Sequence, residues 1–537
     1  MIKAAKAMVK CLEKEGIKVV FGYPGAAICP FYDALTNSDI RHILVRHEQN
    51  AGHAASGYAR ISGKPAVCIA TSGPGALNLI TAIATAYMDS VPMVIITGQV
   101  SSDQIGRDVF QEADITGSAE PFVKHSYLVS RAEELPKIFK EAFYIAGTGR
   151  PGPVLIDIPV DIQDKLIDFD YPNKVEIRSY KPTTKGNKLQ IKRVLKAVEE
   201  AKKPLICAGG GIFHSGAKDE LNELVNKSGI PVVTTMMGIS SVSSDNPLYY
   251  GMLGMHGVKA ANKAVVGCDL LILIGARVGD RAVKTPDFLG GTKKIIHIDI
   301  DPAEIGKNMR VDIPLVGDAR EILSEINKLI PKNSYKEWTG ALDELRVTDA
   351  KLCGEEKFIN PRVFIRTLSE KMPDNTVCVA DVGQNQIWTS NNFKIKNGRF
   401  LTSGGMGTMG YSVPCAVGAK LANPQNTVIA ICGDGSFQMQ MMELATICQH
   451  EVPLKIVIMK NNRLGMVREV QTRAYENNLT AVFLDGSPDF IKLADAYGIK
   501  GELISEISQA DEAINRLINS DGPYIIVCEV SPEEATL

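Results

Sequence analysis

Two polar side chains that follow apolar runs could bind a metal ion. Asp434 stands in the sequence Gly-Asp-Gly-Ser directly after the apolar run at 427–431, and Asn461 follows the next apolar run, LKIVIM. The stretch between them is long enough for one helix, so the two runs predict neighbouring parallel strands with adjacent carboxyl ends. A carboxylate and an amide oxygen at one sheet edge suit Mg²⁺, which also takes phosphate oxygens. Gly-Asp-Gly alone is equally compatible with a simple tight turn.

The two motifs together are more specific than either motif alone. Gly433 and Gly435 let an anion approach the backbone closely, and the start of the predicted helix offers free N–H groups to a phosphate. Gly-Asp-Gly followed by Asn-Asn at this distance is typical of enzymes that use thiamine diphosphate. We therefore predict that Asp434 and Asn461 anchor a magnesium diphosphate.

A glutamate in the first part of the chain could complete such a site. Glu48 opens a predicted helix that is lined by small residues between Ala51 and Gly57, which permit close packing. A glutamate there could also be an ordinary first-turn acid, stabilised by the helix dipole. Thiamine catalysis needs a carboxyl group beside the aminopyrimidine ring of the cofactor, where it shares a proton with the ring nitrogen. Glu48 is our candidate for that group.

Repeated apolar runs supply the elements that must position these residues. Runs such as PAVCIATSG, PLICAGGG and TVCVADVG end in small or polar residues and lead into helical patterns. This alternation predicts an α/β fold of doubly wound parallel sheets covered on both faces. Ligands of such sheets bind beyond the carboxyl ends of the strands.

Two polar segments without strand patterns divide the chain. We interpret 171–190 and 331–360 as linkers between three α/β domains at 1–170, 191–330 and 361–537. Each domain then has an ordinary size for a single hydrophobic core.

The composition excludes several classes of protein. The net charge of −2 over 537 residues provides no basic surface for nucleic acid or an anionic membrane. The eleven cysteines form no Cys-x-x-Cys pair, which argues against a zinc site and favours a reducing compartment. The first residues, MIKAAKAMVKCLEKEG, predict an amphipathic helix rather than a signal peptide, and no apolar stretch reaches the roughly 18 residues of a membrane helix. We expect a cytoplasmic enzyme.

Motifs along nearly the whole chain resemble the catalytic subunit of acetohydroxyacid synthase, also called acetolactate synthase. They include FGYPGAAI (21–28), RHEQNAGHAASGYAR (46–60), TSGPGALN (71–78), PFVKHS (121–126), GMLGMHG (251–257), GARVGDR (275–281), HIDIDPAEIGKN (297–308), DVGQNQIW (381–388), SGGMGTMG (403–410) and NNRLGMV (461–467). The resemblance implies a pyrimidine-binding first domain, a Rossmann-like central domain of the FAD-binding type and a diphosphate-binding third domain.

The resemblance also implies roles for matching residues. Thiamine diphosphate would be contacted by Ala26, Glu48, Gly383, Gln384, Asn385, Gly407, Met409, Gly435, Ser436, Asn461 and Met466, with Met409 between the two cofactor rings. Mg²⁺ would be bound by Asp434, Asn461 and the backbone carbonyl of Arg463. Gln111 would sit beside the reacting carbonyl, Phe110 would line the pocket, Lys124 would line the entrance, and Arg281 and Met255 would face the second keto acid.

Members of this family also hold FAD, which takes no net redox part in the reaction. The matching positions are Arg150, Gly209, Gly210, His256, Gly257, Gly275, Arg277, Asp299, Asp301 and Asp318. From the residues alone, the glycines after PLICA predict a nucleotide turn, and the acidic IDID strand end could take ribose hydroxyls. Glycine-rich strand ends are also common in α/β folds that bind no nucleotide.

The implied activity is that of a transferase. Pyruvate is decarboxylated, and its hydroxyethyl unit is joined to a second 2-keto acid, giving 2-acetolactate from pyruvate or 2-aceto-2-hydroxybutyrate from 2-ketobutyrate. This is the first common step of branched-chain amino acid biosynthesis. The family implies a homodimer or homotetramer with active sites at the subunit interface, and a small regulatory subunit. The alternatives are a catabolic acetolactate synthase without FAD, or another thiamine enzyme acting on pyruvate.

The chain departs from the family pattern at several positions. Ala26 and Asn385 replace a usual Gly and a usual His, and Val278-Gly279 changes the sequence near the FAD positions. Val470 stands where members commonly have a Trp that narrows the pocket for the second substrate. We therefore expect a weaker preference for 2-ketobutyrate and weaker binding of sulfonylurea-type inhibitors. Family members usually continue, after the segment that ends PEEATL here, into a mobile tail that covers the site. This sequence ends at that segment, so we expect lid closure to differ here.

Overall fold

Three parallel six-stranded sheets organise the chain in a computed structural model that describes residues 1–283, 293–346 and 358–537. The first sheet has the strand order Arg41–Leu44, Val19–Gly22, Ala66–Ala70, Met93–Gln99, Pro153–Pro159, His125–Leu128. The second has the order Tyr249–Met252, Val232–Thr234, Pro204–Ala208, Leu270–Ile274, Lys294–Asp299, Ile313–Val316. The third has the order Arg399–Leu401, Val377–Ala380, Val428–Gly433, Lys455–Lys460, Tyr524–Glu529, Lys500–Ile504. The predicted α/β fold class is confirmed.

Helices cover both faces of each sheet. Those of the first domain are Ala4–Lys14, Cys29–Leu35, Glu48–Ser62, Pro74–Leu77, Ile80–Met88, Ile115–Ala119, Leu135–Gly147 and Val160–Gln163. Those of the second are Lys188–Glu200, Gly211–His214, Lys218–Ser228, Lys259–Gly267, Ala319–Leu329 and Lys336–Arg346. Those of the third are Pro361–Lys371, Gln384–Asn392, Ser412–Ala422, Asp434–Gln438, Leu444–Gln449, Gly465–Ala474, Phe490–Ala496 and Ala510–Asn519. In addition, Ile2–Lys3 pairs antiparallel with Leu166–Ile167.

The central strands explain why apolar runs dominate the sequence. Met93–Gln99 and Pro153–Pro159 are buried along their full lengths, and Val428–Gly433 is buried except at its last residue. A strand covered by helices on both faces has no exposed side on which a polar residue would be favoured. Polar residues therefore collect at the ends of these strands.

The two predicted linkers differ in structure. Tyr171, Ile177 and Tyr180, in the segment 171–190, pack against the core of the first domain. Within 331–360 lies the helix Lys336–Arg346, whose Trp338 is buried in a core cluster of the second domain. Residues 347–357 of this predicted linker lie outside the described residues. The domain boundaries themselves stay a prediction.

The helical stretch that the sequence predicts after Asp434 is interrupted. Helix Asp434–Gln438 ends, a short 3₁₀ turn follows at Met441–Glu443, and helix Leu444–Gln449 resumes. At the interruption, the buried Gln440 donates its side-chain N–H to the carboxylate of Asp381 at 2.9 Å. This long-range contact is not visible in a local pattern of apolar residues.

The first and third domains meet where two helices approach closely. A Cβ atom on Gly57 of helix Glu48–Ser62 would lie 1.9 Å from the carbonyl oxygen of Cys415, and one on Gly418 would lie 1.8 Å from that of Ala54. No side chain fits at either distance, so both positions need glycine. The small residues after Glu48 thus allow the contact that the sequence predicts only as close packing.

In the described parts of the chain, no helix is both long enough and apolar enough to span a membrane.

We predict that Gly57→Ala destabilises the protein by about 1–3 kcal/mol, because the new methyl group forces the two helices apart. Gly340→Ala is the matched control: this glycine is inside the helix Lys336–Arg346 and has no atom within 4 Å of a new Cβ. Alanine there should be neutral or slightly stabilising. Thermal unfolding of both variants tests this, and an equal midpoint for Gly57→Ala and wild type would contradict it.

Candidate active site

Asp434 and Asn461 lie at the carboxyl ends of neighbouring strands. Strands Val428–Gly433 and Lys455–Lys460 pair in parallel, with Gly433 opposite Met459. The carboxylate of Asp434 accepts hydrogen bonds from the backbone N–H groups of Asn462 at 2.6 Å and Gly435 at 2.9 Å. The structure therefore brings the predicted metal ligands to the same edge of one sheet.

Asp434 carries a charge that its surroundings disfavour. Its side chain is buried, and burial raises the pKa of the carboxyl to about 6, against the opposing effect of the two backbone N–H donors. A cation at this position would stabilise the ionised form. The predicted donor set of one carboxylate, one amide oxygen and the backbone carbonyl of Arg463 would consist of hard oxygens, which suit Mg²⁺. Across residues 1–283, 293–346 and 358–537, no group of three His, Cys, Asp or Glu side chains could hold a metal.

The loop before helix Gln384–Asn392 faces this edge of the sheet. Gly383 has φ = +133°, a conformation that favours glycine. Gln384 Oε1 accepts a hydrogen bond from Asn461 Nδ2 at 3.1 Å, so a predicted diphosphate residue touches a predicted metal ligand. Asn385 donates instead to the backbone carbonyls of Asp381 and Ile431 and holds the loop on its strand. Its contact with a diphosphate stays a prediction.

Ser436 and Gly435 form the turn next to the metal ligand. Ser436 Oγ donates to the carbonyl of Gly433 at 3.1 Å and accepts its N–H at 3.2 Å. A Cβ on Gly435 would lie 3.0 Å from Leu464 and 3.7 Å from the terminal methyl of Met409. Met409 thus reaches the loop that carries Asp434, and its position between the two cofactor rings stays a prediction.

Two buried aspartates hold the glycine-rich segment 403–410, which carries Gly407 and Met409. Asp381 accepts the N–H groups of Gly410 at 2.9 Å and Ser412 at 2.8 Å. Asp89, from the first domain, accepts those of Gly404 at 3.1 Å and Gly405 at 2.8 Å. Burial raises the pKa of both carboxyl groups. The sequence reasoning missed these residues. Asp381 follows a strand end, as Asp434 does, whereas nothing in the local sequence marks Asp89.

Glu48 begins its helix next to a second cluster of predicted residues. The side chain of His47 caps the helix at Gln49 N–H. Glu48 Oε2 accepts a hydrogen bond from Asn78 Nδ2 at 2.9 Å, and a Cβ on Gly75 would lie 3.2 Å from Oε1. Only a residue without a side chain leaves that carboxylate oxygen open to another group.

Gln111 and Phe110 lie beside the turn that precedes Gly75. Gln111 has a left-handed backbone with φ = +60°, and a Cβ on Gly73 would lie 2.7 Å from its carbonyl oxygen. The side chain of Phe110 is 87% exposed, a large apolar surface on a single chain. Ala26 begins the turn Ala26–Ile28, and its carbonyl accepts the N–H of Cys29.

A buried glutamate of the third domain grips the segment around Glu48. Glu443 Oε1 accepts hydrogen bonds from the backbone N–H of Arg46 and from Asn50 Nδ2, both at 2.9 Å. Its other oxygen accepts from Thr446 Oγ1 at 2.6 Å. The flanks of Glu48 are therefore fixed by a carboxylate that lies nine positions after Asp434 in the sequence. The sequence reasoning missed this residue too.

A cavity of about 920 Å³ opens where the three domains meet. Seven predicted FAD positions line it: Arg150, Gly210, His256, Gly275, Arg277, Asp299 and Asp318. Its far end reaches Gly407 and Met466 of the third domain. The described lining of the cavity does not include Gly209, Gly257, Asp301 or Glu48. A Cβ on Gly209 would lie 2.2 Å from the carbonyl of Gly275, so this glycine serves close backbone packing.

Charged side chains bridge the domains around this cavity. Arg150 of the first domain pairs with Glu304 at 2.8 Å and with Asp301 at 3.5 Å. Burial raises the pKa of Asp299 to about 6, with a smaller contribution from the neighbouring acids. Arg277 donates to the carbonyl of Met88 at 2.5 Å. The cavity therefore has cationic groups for a phosphate and an acidic wall for hydroxyl groups.

The residues predicted to face the second keto acid are exposed. Arg281 Nη1 contacts the sulfur of Met255 at 3.5 Å, and both side chains are exposed. Val470 is 52% exposed on helix Gly465–Ala474, which also carries Met466.

Lys124 is engaged in a structural contact within the chain. Its amine donates to the carbonyl of Thr148 and the hydroxyl of Tyr180, both at 2.8 Å, and to the carbonyl of Ile145. Burial lowers its pKa to about 8. These bonds close the end of helix Leu135–Gly147, and a position in an entrance channel stays a prediction.

Comparison with known families matches all three domains. The central domain of thiamine pyrophosphate enzymes matches residues 191–326, their C-terminal TPP-binding domain matches 381–528, and their N-terminal TPP-binding domain matches 2–118. These matches include Glu48, Asp434, Asn461 and all predicted FAD positions except Arg150.

Individual relatives are similar over nearly their whole lengths. A probable acetolactate synthase large subunit of Methanocaldococcus jannaschii is 47% identical, over 99% of this chain and 93% of its own. An acetolactate synthase of Arthrospira platensis is 44% identical over 99% and 95%, and an acetolactate synthase large subunit of Corynebacterium glutamicum is 44% identical over 97% and 86%. The chain therefore belongs to the acetolactate synthase family of thiamine pyrophosphate enzymes.

Proposed function

We propose that this chain is the catalytic subunit of a cytoplasmic acetolactate synthase, which decarboxylates pyruvate and transfers its two-carbon unit to a second 2-keto acid. The observation that carries the proposal is the meeting of Asp434, Asn461 and Gln384 at one sheet edge. Glu48 provides a carboxylate on a second domain, in a chain that belongs to this family. The product from two pyruvates is 2-acetolactate, the first intermediate common to branched-chain amino acid synthesis.

Thiamine diphosphate, when bound, supplies the electron sink that decarboxylation of a 2-keto acid requires. The residues that would hold its diphosphate through Mg²⁺ are Asp434, Asn461 and the carbonyl of Arg463. Glu48 would hold a proton at a carboxylate oxygen facing the aminopyrimidine, with Asn78 fixing the other oxygen at 2.9 Å. Gln111 and Arg281 would orient the two keto acids through hydrogen bonds and charge.

Two subunits are needed to complete this site. Glu48 is absent from the described residues lining the cavity that reaches Gly407 and Met466. Glu443 holds the flanks of Glu48 against the third domain of the same chain. The role of Glu48 opposite the Asp434 of another copy rests on the family resemblance. The exposed Phe110 would be covered in such a homodimer or homotetramer. Relatives named as large subunits also suggest a small regulatory partner.

FAD is the nucleotide that the central cavity fits best. A volume of about 920 Å³ with arginines at one wall and aspartates at another suits a large ligand with a diphosphate and several hydroxyl groups. This favours the FAD-containing type over a catabolic synthase without flavin. A flavin in this cavity would lie next to Gly407 of the predicted thiamine diphosphate site.

The direct test of this function is turnover of pyruvate with Mg²⁺ and thiamine diphosphate, with and without added FAD. Acetolactate should form, detected as acetoin after acid treatment, and the purified protein should carry flavin absorbance. Acetaldehyde or acetate as the main product would instead indicate a decarboxylase or an oxidase.

We predict that Glu48→Gln lowers kcat by about 10²–10⁴-fold, because an amide cannot exchange a proton with the aminopyrimidine. The fold and the assembly should be retained, since an amide still accepts the hydrogen bond from Asn78. Glu223→Gln, on the exposed face of helix Lys218–Ser228, is the control and should behave as wild type. Unchanged turnover by Glu48→Gln would remove the central assignment.

We predict that Mg²⁺ binding weakens as the pH falls below about 6, because protons compete for the Asp434 carboxylate, whose pKa is raised to about 6. Above that pH the carboxylate is ionised and the affinity should level off. Titration calorimetry with Mg²⁺ at saturating thiamine diphosphate measures this, after correction for Mg²⁺ binding by the free cofactor in the same buffers. A corrected Kd that does not change between about pH 5 and 8 would contradict the role of Asp434.

We predict that Val470→Trp raises the preference for 2-ketobutyrate over pyruvate by about tenfold or more, because a larger apolar wall discriminates by one methylene group. The half-exposed Val470 leaves space for the larger ring. Val467→Trp on the same helix, at 47% exposure, is the matched control. Product ratios in competition between the two keto acids give the result. A strong preference for 2-ketobutyrate in the wild type would contradict the hypothesis.

A further inference from the structure

The side chain of Gln384 joins three separate parts of the third domain. Its Oε1 accepts a hydrogen bond from Asn461 Nδ2 at 3.1 Å. Its Nε2 donates to Glu469 Oε1 and to the backbone carbonyl of Glu534, both at 2.7 Å. Gly465 is the first residue of helix Gly465–Ala474, and a Cβ atom there would lie 1.8 Å from Gln384 Oε1. The position of the Gln384 side chain therefore also requires glycine at 465. Both the oxygen and the nitrogen of the Gln384 amide therefore have hydrogen-bond partners, which fix the orientation of the side chain.

Ion pairs and a hydrogen bond hold the segment 533–536, which we call the strap, along its length. Arg468 pairs with Glu533, and Arg362 pairs with Glu534. Trp388 Nε1 donates to the carbonyl of Ala535 at 2.9 Å. The strap thus crosses helix Gln384–Asn392 on one side and helix Gly465–Ala474 on the other.

Thr536 ends the strap on the carboxylate of Glu469. Its backbone N–H and its hydroxyl both donate to Glu469 Oε1 at 2.6 Å, and Thr536 is only 5% exposed. The same oxygen receives the hydrogen bond from Gln384. The other oxygen of Glu469 pairs with Arg473 at 3.1 Å. Three donors on one ionised oxygen form strong, geometrically restrictive contacts.

We infer that Glu469 is a positioning residue for the Mg²⁺–diphosphate group, held in place by Thr536 of the strap. Glu469 and the strap direct the Gln384 amide so that Oε1 faces Asn461. Because Asn461 donates through Nδ2, its amide oxygen points the opposite way, where it accepts the backbone N–H of Arg463 at 3.0 Å and has a second lone pair for a cation. This inference rests on the proposed function, since the ligand is the metal diphosphate at Asp434 and Asn461.

The chain of contacts predicts an effect on cofactor affinity that exceeds the effect on the chemical step. In Thr536→Ala, Glu469 keeps the backbone N–H donor but loses the hydroxyl donor, so its carboxylate and the Gln384 amide bound to it are held less firmly, and the Asn461 amide is less well fixed. Part of the binding free energy of the metal diphosphate is then used to order the Asn461 amide, so the observed affinity falls. The reacting carbon and Glu48 are not touched by the strap, so turnover at saturating cofactor should change less than affinity does.

The test compares Thr536→Ala and Glu469→Ala with Thr536→Ser, which keeps the hydroxyl. Cofactor-free protein is titrated with thiamine diphosphate at fixed Mg²⁺, and binding is followed by calorimetry and by the fluorescence of Trp388. The sequence has two tryptophans, so Trp338→Phe isolates the signal of Trp388, which contacts the strap at Ala535. Leu537→Ala is the control, because that side chain is 61% exposed next to Thr536.

We expect Kd for thiamine diphosphate to rise about tenfold in Thr536→Ala and in Glu469→Ala, the effect of losing a hydrogen bond to a charged group. Thr536→Ser and Leu537→Ala should keep the wild-type Kd. Unchanged affinity in folded Thr536→Ala and Glu469→Ala overturns the inference. If Glu469→Ala fails to fold, Thr536→Ala decides alone. A wild-type protein that binds no thiamine diphosphate contradicts the proposed function, which is a distinguishable failure.

Discussion

The close contact between helix Glu48–Ser62 and helix Ser412–Ala422 is the constraint on which the rest of the site depends. Gly57 and Gly418 let the two backbones approach to a distance that any side chain would prevent. This contact sets the first domain against the third. Hydrogen bonds that cross between these domains, such as those at Glu443, Asp89 and Arg46, form at that spacing.

Buried carboxylates then convert the domain contact into a positioned site. Asp89 and Glu443 each accept backbone N–H groups from the opposite domain, and Asp381 does the same between loops of one domain. A buried charge is costly unless its hydrogen bonds are made, so separating the domains would leave these groups unsatisfied. The segments that carry Glu48, Gly407 and Met409 are therefore held by interactions that form only when the domains dock.

Residues placed by the ends of neighbouring strands could be predicted to lie together, whereas residues with partners distant in the sequence could not. Asp434 and Asn461 could be placed together because a parallel βαβ unit has one handedness and one sheet edge for its strand ends. The FAD positions clustered for the same reason, since most of them end strands of one sheet. Asp89 and Glu443 could not be recognised, because their partners are more than 300 residues away and no local pattern marks them.

The fold class, the order of the elements and the cofactor class could be predicted from the amino-acid sequence alone. These follow from apolar periodicity and from polar residues at strand ends, which are local properties of the chain. The side chains that orient the polar residues at the strand ends could be identified only from the three-dimensional structure. The hydrogen bonds of Gln384 to Asn461, Glu469 and Glu534 join segments distant in sequence, so their geometry depends on how the helices pack rather than on any motif.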